Sequence, residues 1–384
     1  MNKLKQIIIE KIKKQGPIPF ETYMDIALYY PGLGYYSSPD TVIGRSGDFY
    51  TSPHLHKIFG AMMGLQIEEM WRTMRESSDF NVVEMGAGAG YLCKDMLDHL
   101  NSRSVDQNVR SKEFFDSLNY IIIEKNPYFI EKQKALLSGF GEKVSWVSSL
   151  SELKSFRGCV ISNELLDSFP VHIMLAEEMA DRIKEIHVSL DGDKLIEITQ
   201  DVSCSELTNY FKSNSIEIPP GYRTEINLKI RGWLEQVCAV MEEGFILTVD
   251  YGYTAEDYYS DERSKGTLLC FHRHQAVGDP YSNIGCQDIT AHVNFSSLKK
   301  WGDDLGLRTI GYCPQGTYLV ALGIDKVISE LYENSPDYEN EVRKIKGLIL
   351  PQGLGESHKV MIQYKGAGSP ELRGFSMRNQ IRTL

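Results

Sequence analysis

The sequence has no C-x-x-C pair, and its seven cysteines are widely spaced. A disulfide framework or a zinc site built on paired cysteines is therefore not expected, and reduced thiols are. No apolar run approaches the ~18 residues that a membrane span needs. The first residues, Met1 to Gln15, lack the apolar core of a secretory signal and contain no arginine, unlike a transit peptide. These absences predict a cytoplasmic protein without a membrane span.

Positively charged residues are fewer than negatively charged ones. The 384 residues contain 41 Lys and Arg against 52 Asp and Glu, a formal net charge of −11. This balance argues against a partner bound mainly through nucleic-acid phosphates, and it suits cationic or neutral substrates better. Hydrophobic content of 42% and charged content of 24% are ordinary for a globular protein. Nothing in the sequence predicts an oligomeric state.

Several catalytic signatures are absent as well. There is no H-E-x-x-H, no G-x-S-x-G and no Walker lysine, so the common zinc proteases, α/β-hydrolases and P-loop enzymes are not indicated. The histidine pairs His54/His56 and His272/His274 have no matching set of acids or cysteines. No metal site is therefore predicted.

The most informative run that is present extends from Val82 to Tyr91, with an acid at Glu84 followed by Gly86, Gly88 and Gly90. It predicts a buried strand, a glycine turn that approaches a ligand closely, and a helix whose N-terminus carries partial positive charge. A nicotinamide fingerprint would need its third glycine at the position of Tyr91. An acid followed by G-x-G-x-G instead looks like the S-adenosylmethionine loop of class I methyltransferases, with an ordinary glycine turn as the alternative.

Strands and helices are predicted to alternate after this run. The pattern predicts strands near 80–85, 119–124, 143–147, 158–162 and 245–250, a β-meander at 171–199, a polar loop at 205–222 and a terminal strand pair at 307–323. Upstream, Ser52 is expected to cap a helix that reaches Trp71. Such alternation predicts an α/β fold with a doubly wound, Rossmann-like sheet. The expected regions are an N-terminal helical and lid region (1–75), a cofactor-binding core (76–170 and 223–324), a β-rich, substrate-facing insertion (171–222) and a C-terminal appendage (325–384).

Two further segments complete the predicted nucleotide site. Glu124 ends an apolar strand, where a carboxylate can accept hydrogen bonds from both hydroxyls of a ribose. Its alternative is a surface acid at a strand end. Ser149 and Leu150 lie in the loop that, in this topology, sits beside the adenine.

Acidic residues follow two other strands. Asn163, Glu164 and Asp167 come after one strand and Asp250 after another, and ligands of open α/β sheets bind outside such strand ends. Glu164, with Asp167, could hold a guanidinium by charge-assisted hydrogen bonds. The alternative is that one of these acids caps the next helix.

Five runs in one order make the sequence resemble the MidA family of S-adenosylmethionine-dependent methyltransferases, whose mitochondrial members are arginine methyltransferases that assist assembly of respiratory complex I. The runs are Gly44–Pro53, Glu84–Gly90, Asn163–His172, Val249–Gly252 and Gln287–Phe295. The resemblance implies a class I methyltransferase fold with an added substrate-facing region.

The resemblance also assigns roles by matching motif. It implies that Gly86, Gly88 and Gly90 border the methionine part of the cofactor and Glu124 its ribose. Gly47, Asp48 and Phe49 would form part of a lid. Asn163 and Glu164 would border the transferring methyl group, with His292 nearby. The sequence departs from the family where relatives commonly have Pro and Arg at the positions of Ala87 and Ala89, and an acid at that of His54.

The sequence therefore predicts an enzyme that uses S-adenosyl-L-methionine to methylate a protein arginine. Glu164 and Asp167 would hold the guanidinium, while Asp250 or His292 would take up the released proton. A cofactor-binding assembly protein without turnover and a small-molecule methyltransferase are the alternatives.

Overall fold

The computed structural model describes residues 2–39, 51–105, 109–177, 183–214, 216–273, 275–333 and 335–384. Its strands are β1 (Ile18–Pro19), β2 (Phe80–Met85), β3 (Leu118–Ile123), β4 (Val144–Val147), β5 (Phe156–Asn163), β6 (His172–Ala176), β7 (Ile183–Asp191), β8 (Lys194–Gln200), β9 (Arg223–Ile226), β10 (Met241–Tyr253), β11 (Leu269–His272), β12 (Gln275–Val277), β13 (Asp288–Thr290), β14 (Val293–Asn294), β15 (Arg308–Pro314) and β16 (His358–Lys365). Its α-helices are α1 (Lys3–Gln15), α2 (Phe20–Tyr29), α3 (Ser52–Leu55), α4 (Ile58–Thr73), α5 (Tyr91–Val105), α6 (Val109–Ser117), α7 (Pro127–Leu136), α8 (Ser205–Ser213), α9 (Lys229–Val240), α10 (Ala255–Tyr258), α11 (Phe295–Asp304), α12 (Gln315–Ala321), α13 (Ile324–Tyr332), α14 (Tyr338–Ile349) and α15 (Leu354–Ser357).

The central sheet has the order β15-β16-β10-β5-β2-β3-β4. All neighbours from β10 to β4 pair in parallel, whereas β16 is antiparallel to both β10 and β15. Strands β2 and β5 are buried along most of their length, because helices cover both faces of the sheet. The prediction of a doubly wound, class I methyltransferase fold is confirmed.

The end of the chain enters this sheet. The expected strand pair at 307–323 is wrong in its second half, since β15 is followed by α12 and pairs with β16 instead. Residues 358–365 therefore lie inside the sheet, although they belong to the segment predicted as an appendage. Burial explains this position, because Val360 to Ile362 are fully enclosed between the two helical layers.

A second, antiparallel sheet contains the expected meander β6, β7 and β8. It also recruits β9 beside β6 and the short β1 beside β7, so the sheet extends beyond the predicted insertion at 171–222. The polar loop predicted at 205–222 is wrong for its first part, where α8 lies. That helix forms because Leu207, Tyr210 and Phe211, at helical spacing, are buried on the core.

The helix expected to run from Ser52 to Trp71 is divided in two. Thr51, not Ser52, occupies the N-cap position of α3, and the backbone is extended at His56 before α4 begins. The His56 ring accepts a hydrogen bond from the Ile58 N–H at Nδ1 (3.0 Å) and contacts Glu341 Oε2 through Nε2 (2.7 Å). Before this break, the Ser52 hydroxyl donates to Gln315 Oε1 (2.9 Å), just after the edge strand β15.

Two other predictions from the sequence concern the proposed lid and a membrane span. The proposed lid residues Gly47, Asp48 and Phe49 lie outside the described residues. Across the described part of the chain, no helix combines the length and apolar character required to cross a bilayer.

Candidate active site

The glycine loop leaves β2 at the carboxyl edge of the sheet. Gly86, Gly88 and Gly90 all have left-handed backbone angles, with φ of +76°, +52° and +85°. A Cβ at Gly86 would lie 3.0 Å from Leu165 Cδ1, so the loop packs closely against the turn that follows β5. Glycine is needed here because other residues adopt this backbone region at a cost.

Gln133, on α7, is a site residue that the sequence analysis missed. Its side chain is fully buried and donates from Nε2 to the Gly88 carbonyl (2.8 Å). Its Oε1 accepts from Trp146 Nε1 (3.0 Å), and Nε2 also lies 3.4 Å from Glu124 Oε2. Gln133 thus connects the glycine loop to the next strand end. A glutamine within a helical pattern carries no signal of this role.

Glu124 follows β3, as predicted, and is half-buried. Its Oε1 accepts from the backbone N–H groups of Lys125 and Asn126, both at 2.8 Å. Burial raises the pKa of the Glu124 carboxyl, while those two N–H donors oppose the shift. One oxygen is therefore anchored to the chain, and the other has acceptor capacity that suits a ribose hydroxyl.

Two other predicted cofactor residues, Glu84 and Leu150, lie in the interior, whereas Ser149 is half-buried. The Glu84 carboxylate is 3% exposed and accepts from the Tyr120 hydroxyl (2.7 Å), rather than opening to the cleft. Burial raises the pKa of Glu84 to about 7. Leu150 is buried in the core with Val83, and Ser149 Oγ lies 2.8 Å from Ser151 Oγ.

The turn after β5 holds Glu164 in a left-handed conformation, with φ of +48°. Its N–H donates to the Val249 carbonyl (2.8 Å), which ties the turn to β10. The Glu164 Oε1 atom lies 3.3 Å from the Ser52 N–H nitrogen and 3.4 Å from His358 Nε2. Both side chains of the Glu164–His358 pair are only 6% exposed. His358 comes from β16, and its position on a distant strand hid it from the sequence analysis.

Asp250 holds the same turn from β10. It is fully buried, and its oxygens accept from the backbone N–H groups of Leu166 (3.0 Å), Asp167 (3.4 Å) and Tyr251 (2.9 Å). Burial first, then the neighbouring Asp167 and Glu164, raises the pKa of the Asp250 carboxyl. That Asp250 takes up a proton from the substrate stays a prediction; in the structure both of its oxygens accept hydrogen bonds from the backbone.

Asp167 belongs to a wider acidic cluster, defined here as Glu164, Asp167, Asp250 and Asp288. Burial raises the pKa of Asp167, whereas a hydrogen bond with Tyr251 lowers it. Tyr36 donates to Asp288 Oδ1 (2.7 Å), and the pKa of the Tyr36 hydroxyl is raised by burial and by Asp288 and Asp167. The sequence analysis did not single out Asp288, although it lies in one of the five family runs.

His292 is next to the acidic cluster, because its ring contacts Tyr251, which is hydrogen-bonded to Asp167. Its ring packs edge-on against Tyr251 (5.0 Å between centroids) and is stacked with Tyr253 at 5.1 Å. Its Nδ1 lies 3.2 Å from the Thr267 carbonyl oxygen. Burial lowers the pKa of His292 to about 4, so the ring is neutral at pH 7.

Several buried polar atoms in this part of the structure have no hydrogen-bond partner among the described residues. They include His54 Nε2, Asn163 Oδ1, Asp167 Oδ1 and His358 Nε2. Buried polar groups in proteins are nearly always satisfied, so each exception calls for an explanation. A bound ligand with polar groups would supply the missing partners. With the glycine loop and Glu124 beside them, these residues fit an S-adenosylmethionine site.

The model of a family described as S-adenosyl-L-methionine-dependent methyltransferases matches residues 62–313. The chain belongs to this family. The resemblance to MidA proteins is confirmed, and so is the prediction of an S-adenosylmethionine-dependent methyltransferase. Gln133, Glu164 and His292 all lie within the matched range, whereas Ser52, His54 and His358 lie outside it.

Curated relatives and a solved structure agree with this membership. The chain is 26% identical to the mitochondrial protein arginine methyltransferase NDUFAF7 of Rattus norvegicus, over 91% of this chain and 81% of that protein. It is 26% identical to the NDUFAF7 homologue of Caenorhabditis elegans, over 92% of this chain and 84% of that protein. A Burkholderia thailandensis structure with bound S-adenosyl-homocysteine has a TM-score of 0.85 and 27% identity, covering 99% of this chain and 96% of that one.

These relatives also correct one expectation. The curated proteins from Rattus norvegicus, Caenorhabditis elegans and Drosophila melanogaster are all named as mitochondrial. The prediction of a cytoplasmic location is therefore wrong. It rested on the absence of a transit-peptide pattern in the first residues, which is a weak basis for assigning a compartment.

Proposed function

We propose that this methyltransferase modifies a guanidino nitrogen of a protein arginine. The observation that carries the proposal is the buried acidic cluster beside the cofactor site. Among the described residues, no lysine or arginine forms an ion pair with Glu164, Asp167 or Asp250. Burying several carboxylates without a cation is costly, and a guanidinium would relieve that cost.

An arginine side chain suits this cluster better than a lysine. Guanidinium is planar, remains charged, and presents a fork of donors that matches carboxylate oxygens. Glu164 is the group best placed to receive it, since Oε1 accepts from the Ser52 N–H and lies 3.4 Å from His358 Nε2, while the other oxygen forms no hydrogen bond among the described residues. Asp167 Oδ1 provides a second acceptor.

The cofactor residues proposed here are Gly86, Gly88, Gly90, Glu124 and Asn163, with Gln133 holding the loop. When bound, S-adenosylmethionine supplies an electrophilic methyl group on a positively charged sulfur. The chain's own task is to align the acceptor nitrogen with that methyl group and exclude water. Asn163 Oδ1, buried and unpartnered at the end of β5, is suited to contact a polar group at the junction of cofactor and acceptor.

The relatives favour the same acceptor. Both curated proteins described above are named as protein arginine methyltransferases, and they align with more than nine-tenths of this chain. The names apply to those proteins, and their extension to this chain rests on the acidic cluster.

The test is incubation of the purified protein with radiolabelled S-adenosylmethionine and a library of arginine-containing peptides. Matched libraries carry lysine or uncharged citrulline in place of arginine. We expect label only on the arginine peptides, recovered as methylarginine after hydrolysis. Label on lysine peptides would overturn the arginine assignment. A parallel reaction uses a cell extract in place of the peptides. Label that appears there only on small molecules would favour the small-molecule alternative.

A further inference from the structure

Glu225 is a buried acid in β9 that has no role in the methyl transfer proposed for this site. It is 2% exposed. Its Oε2 accepts from the Thr267 N–H (2.7 Å) and from the Thr267 hydroxyl (2.9 Å). A carboxylate hidden from water and directed at a single threonine holds that threonine firmly.

Gly266 makes this contact possible. Its φ is +85°, and a Cβ at this position would lie 2.1 Å from Glu225 Oε1. Because no side chain fits there, the carboxylate can approach the backbone at Thr267. Burial raises the pKa of Glu225, and its bonds with Thr267 oppose the shift.

Thr267 in turn contacts His292 twice. Its hydroxyl accepts from the His292 backbone N–H (3.2 Å), and its carbonyl oxygen lies 3.2 Å from His292 Nδ1. A carbonyl oxygen only accepts hydrogen bonds, so the ring nitrogen facing it must carry the hydrogen. In a neutral ring this leaves Nε2 with a free lone pair.

His292 is connected to the acidic cluster through neighbouring groups. The Ala291 N–H donates to the Asp167 carbonyl (2.9 Å), and the Tyr251 ring packs against the rings of both His292 and His358. His358 Nε2 is 3.4 Å from Glu164. The rings of His292, Tyr251 and His358 thus form one side of the proposed acceptor site, and the Nε2 atom of His292 belongs to this side.

We propose that Glu225 and Thr267 are positioning residues that hold His292 as its Nδ1–H tautomer, so that Nε2 accepts the proton released by the methylated nitrogen. This inference rests on the proposed function. It assigns a role to Glu225 and Thr267, which the described residues show bonded to each other and to His292.

The proton balance is simple. The methyl carbon exchanges its bond to sulfur for a bond to the acceptor nitrogen. One N–H bond of that nitrogen then breaks, its electron pair stays on nitrogen, and the proton passes to Nε2 directly or through water. A guanidinium that has gained a methyl group before losing its proton is strongly acidic, so even a weakly basic neutral imidazole suffices.

The first test reads the tautomer in the protein without cofactor. Nitrogen-15 NMR of histidine-labelled protein distinguishes Nδ1–H from Nε2–H rings, with His292→Gln used to assign the signal. We expect His292 to be a neutral Nδ1–H ring at pH 7. An Nε2–H ring, or a charged ring, would overturn the inference whatever the activity.

The second test uses Thr267→Val, which removes the hydroxyl but keeps the shape. We expect mixed tautomers for His292, roughly a tenfold lower kcat with unchanged KM for the arginine peptide, and unchanged calorimetric affinity for S-adenosyl-homocysteine. Thr267→Ser, which keeps the hydroxyl, should restore kcat. Thr224→Val is the matched control, since Thr224 is also buried and its hydroxyl has no hydrogen-bond partner among the described residues.

Glu225→Gln should follow the same pattern as Thr267→Val. Both Thr267 donors bind one oxygen of Glu225, and a neutral amide oxygen accepts hydrogen bonds less strongly than a charged carboxylate oxygen. If Thr267→Val matches wild type in tautomer and kcat, the positioning role is refuted. A wild-type Nδ1–H ring in a protein that methylates no arginine peptide would instead refute the proposed function.

Discussion

The two halves of the proposed site, one for the cofactor and one for the acceptor, are built in opposite ways. Apart from Asn163 on β5, the cofactor half takes its residues from one stretch of chain between β2 and β4, and the side chains of Gln133 and Glu124 are bonded within the protein. The acceptor half gathers residues from distant segments, including Ser52, Asp167 and His358. Within the described part of the chain, it keeps buried polar atoms that have no hydrogen-bond partner. From this difference we infer that the chain itself fixes the geometry of the nucleotide site. The acceptor site, in contrast, gains its remaining hydrogen-bond partners from the molecule that is modified.

Electrostatics separates the halves as well. The glycine loop precedes the N-terminus of α5, where the helix dipole offers partial positive charge. The acceptor half concentrates carboxylates whose pKa values burial raises, as at Asp167 and Asp250. A substrate cation would lower those pKa values again by pairing with the charged forms.

The largest effect should come from Glu164→Gln, which keeps the shape of the acceptor half but removes its best-placed charge. Losing a charge-assisted bond to a buried guanidinium costs about 3 kcal/mol, or roughly a hundredfold in kcat/KM for an arginine peptide. Calorimetric affinity for S-adenosyl-homocysteine should not change. Wild-type turnover in this variant would remove Glu164 from the acceptor half.

A smaller effect is expected from Gln133→Leu in the cofactor half. Leucine fills similar space but leaves the Gly88 carbonyl and Trp146 Nε1 without their partner, at a cost of about 1 to 2 kcal/mol. Affinity for S-adenosyl-homocysteine should therefore fall about tenfold. Glu131→Gln, an exposed change on the same helix, is the control. Equal affinities for the two variants would mean that Gln133 does not hold the loop.

The smallest effect concerns Glu84, an acid that belongs to the cofactor half by sequence but lies inside the core. Its pKa of about 7 in the folded protein exceeds the ordinary value of 4.5, so the folded state binds the proton more tightly. Stability from this group is complete below pH 4.5 and is lost as pH rises through about 7. Wild type should lose about 1 kcal/mol of unfolding free energy between pH 6 and pH 8 that Glu84→Gln does not lose.

Chemical denaturation of both proteins at the two pH values measures this difference. The Tyr120 hydroxyl can still donate to the amide oxygen of the variant, so the comparison isolates the charge. Identical pH dependence in wild type and variant would show that Glu84 is ionised at neutral pH, and would return it to the list of candidates for direct cofactor contact.

Sequence patterns predicted the first strands well because each one is a short apolar run that ends in glycine or a polar residue. They failed where burial overrode local composition. The segment at 205–213 is mostly polar, yet three residues on one face dock on the core and make it helical. The break at His56 depends on Glu341, some 285 positions away along the chain, and no local pattern could reveal it.

By itself, the sequence determined the order of strands and helices at the start of the core, the glycine loop, the acids that end two strands, and the family. Those features are local, since backbone freedom and apolar periodicity act over a few neighbouring residues. Only the tertiary structure decided which acids are buried together, that β16 brings His358 to Glu164, and that Glu225 reaches His292 through Thr267. Such contacts depend on how the sheet brings distant strands side by side, and the free energy that selects them is shared by the whole core.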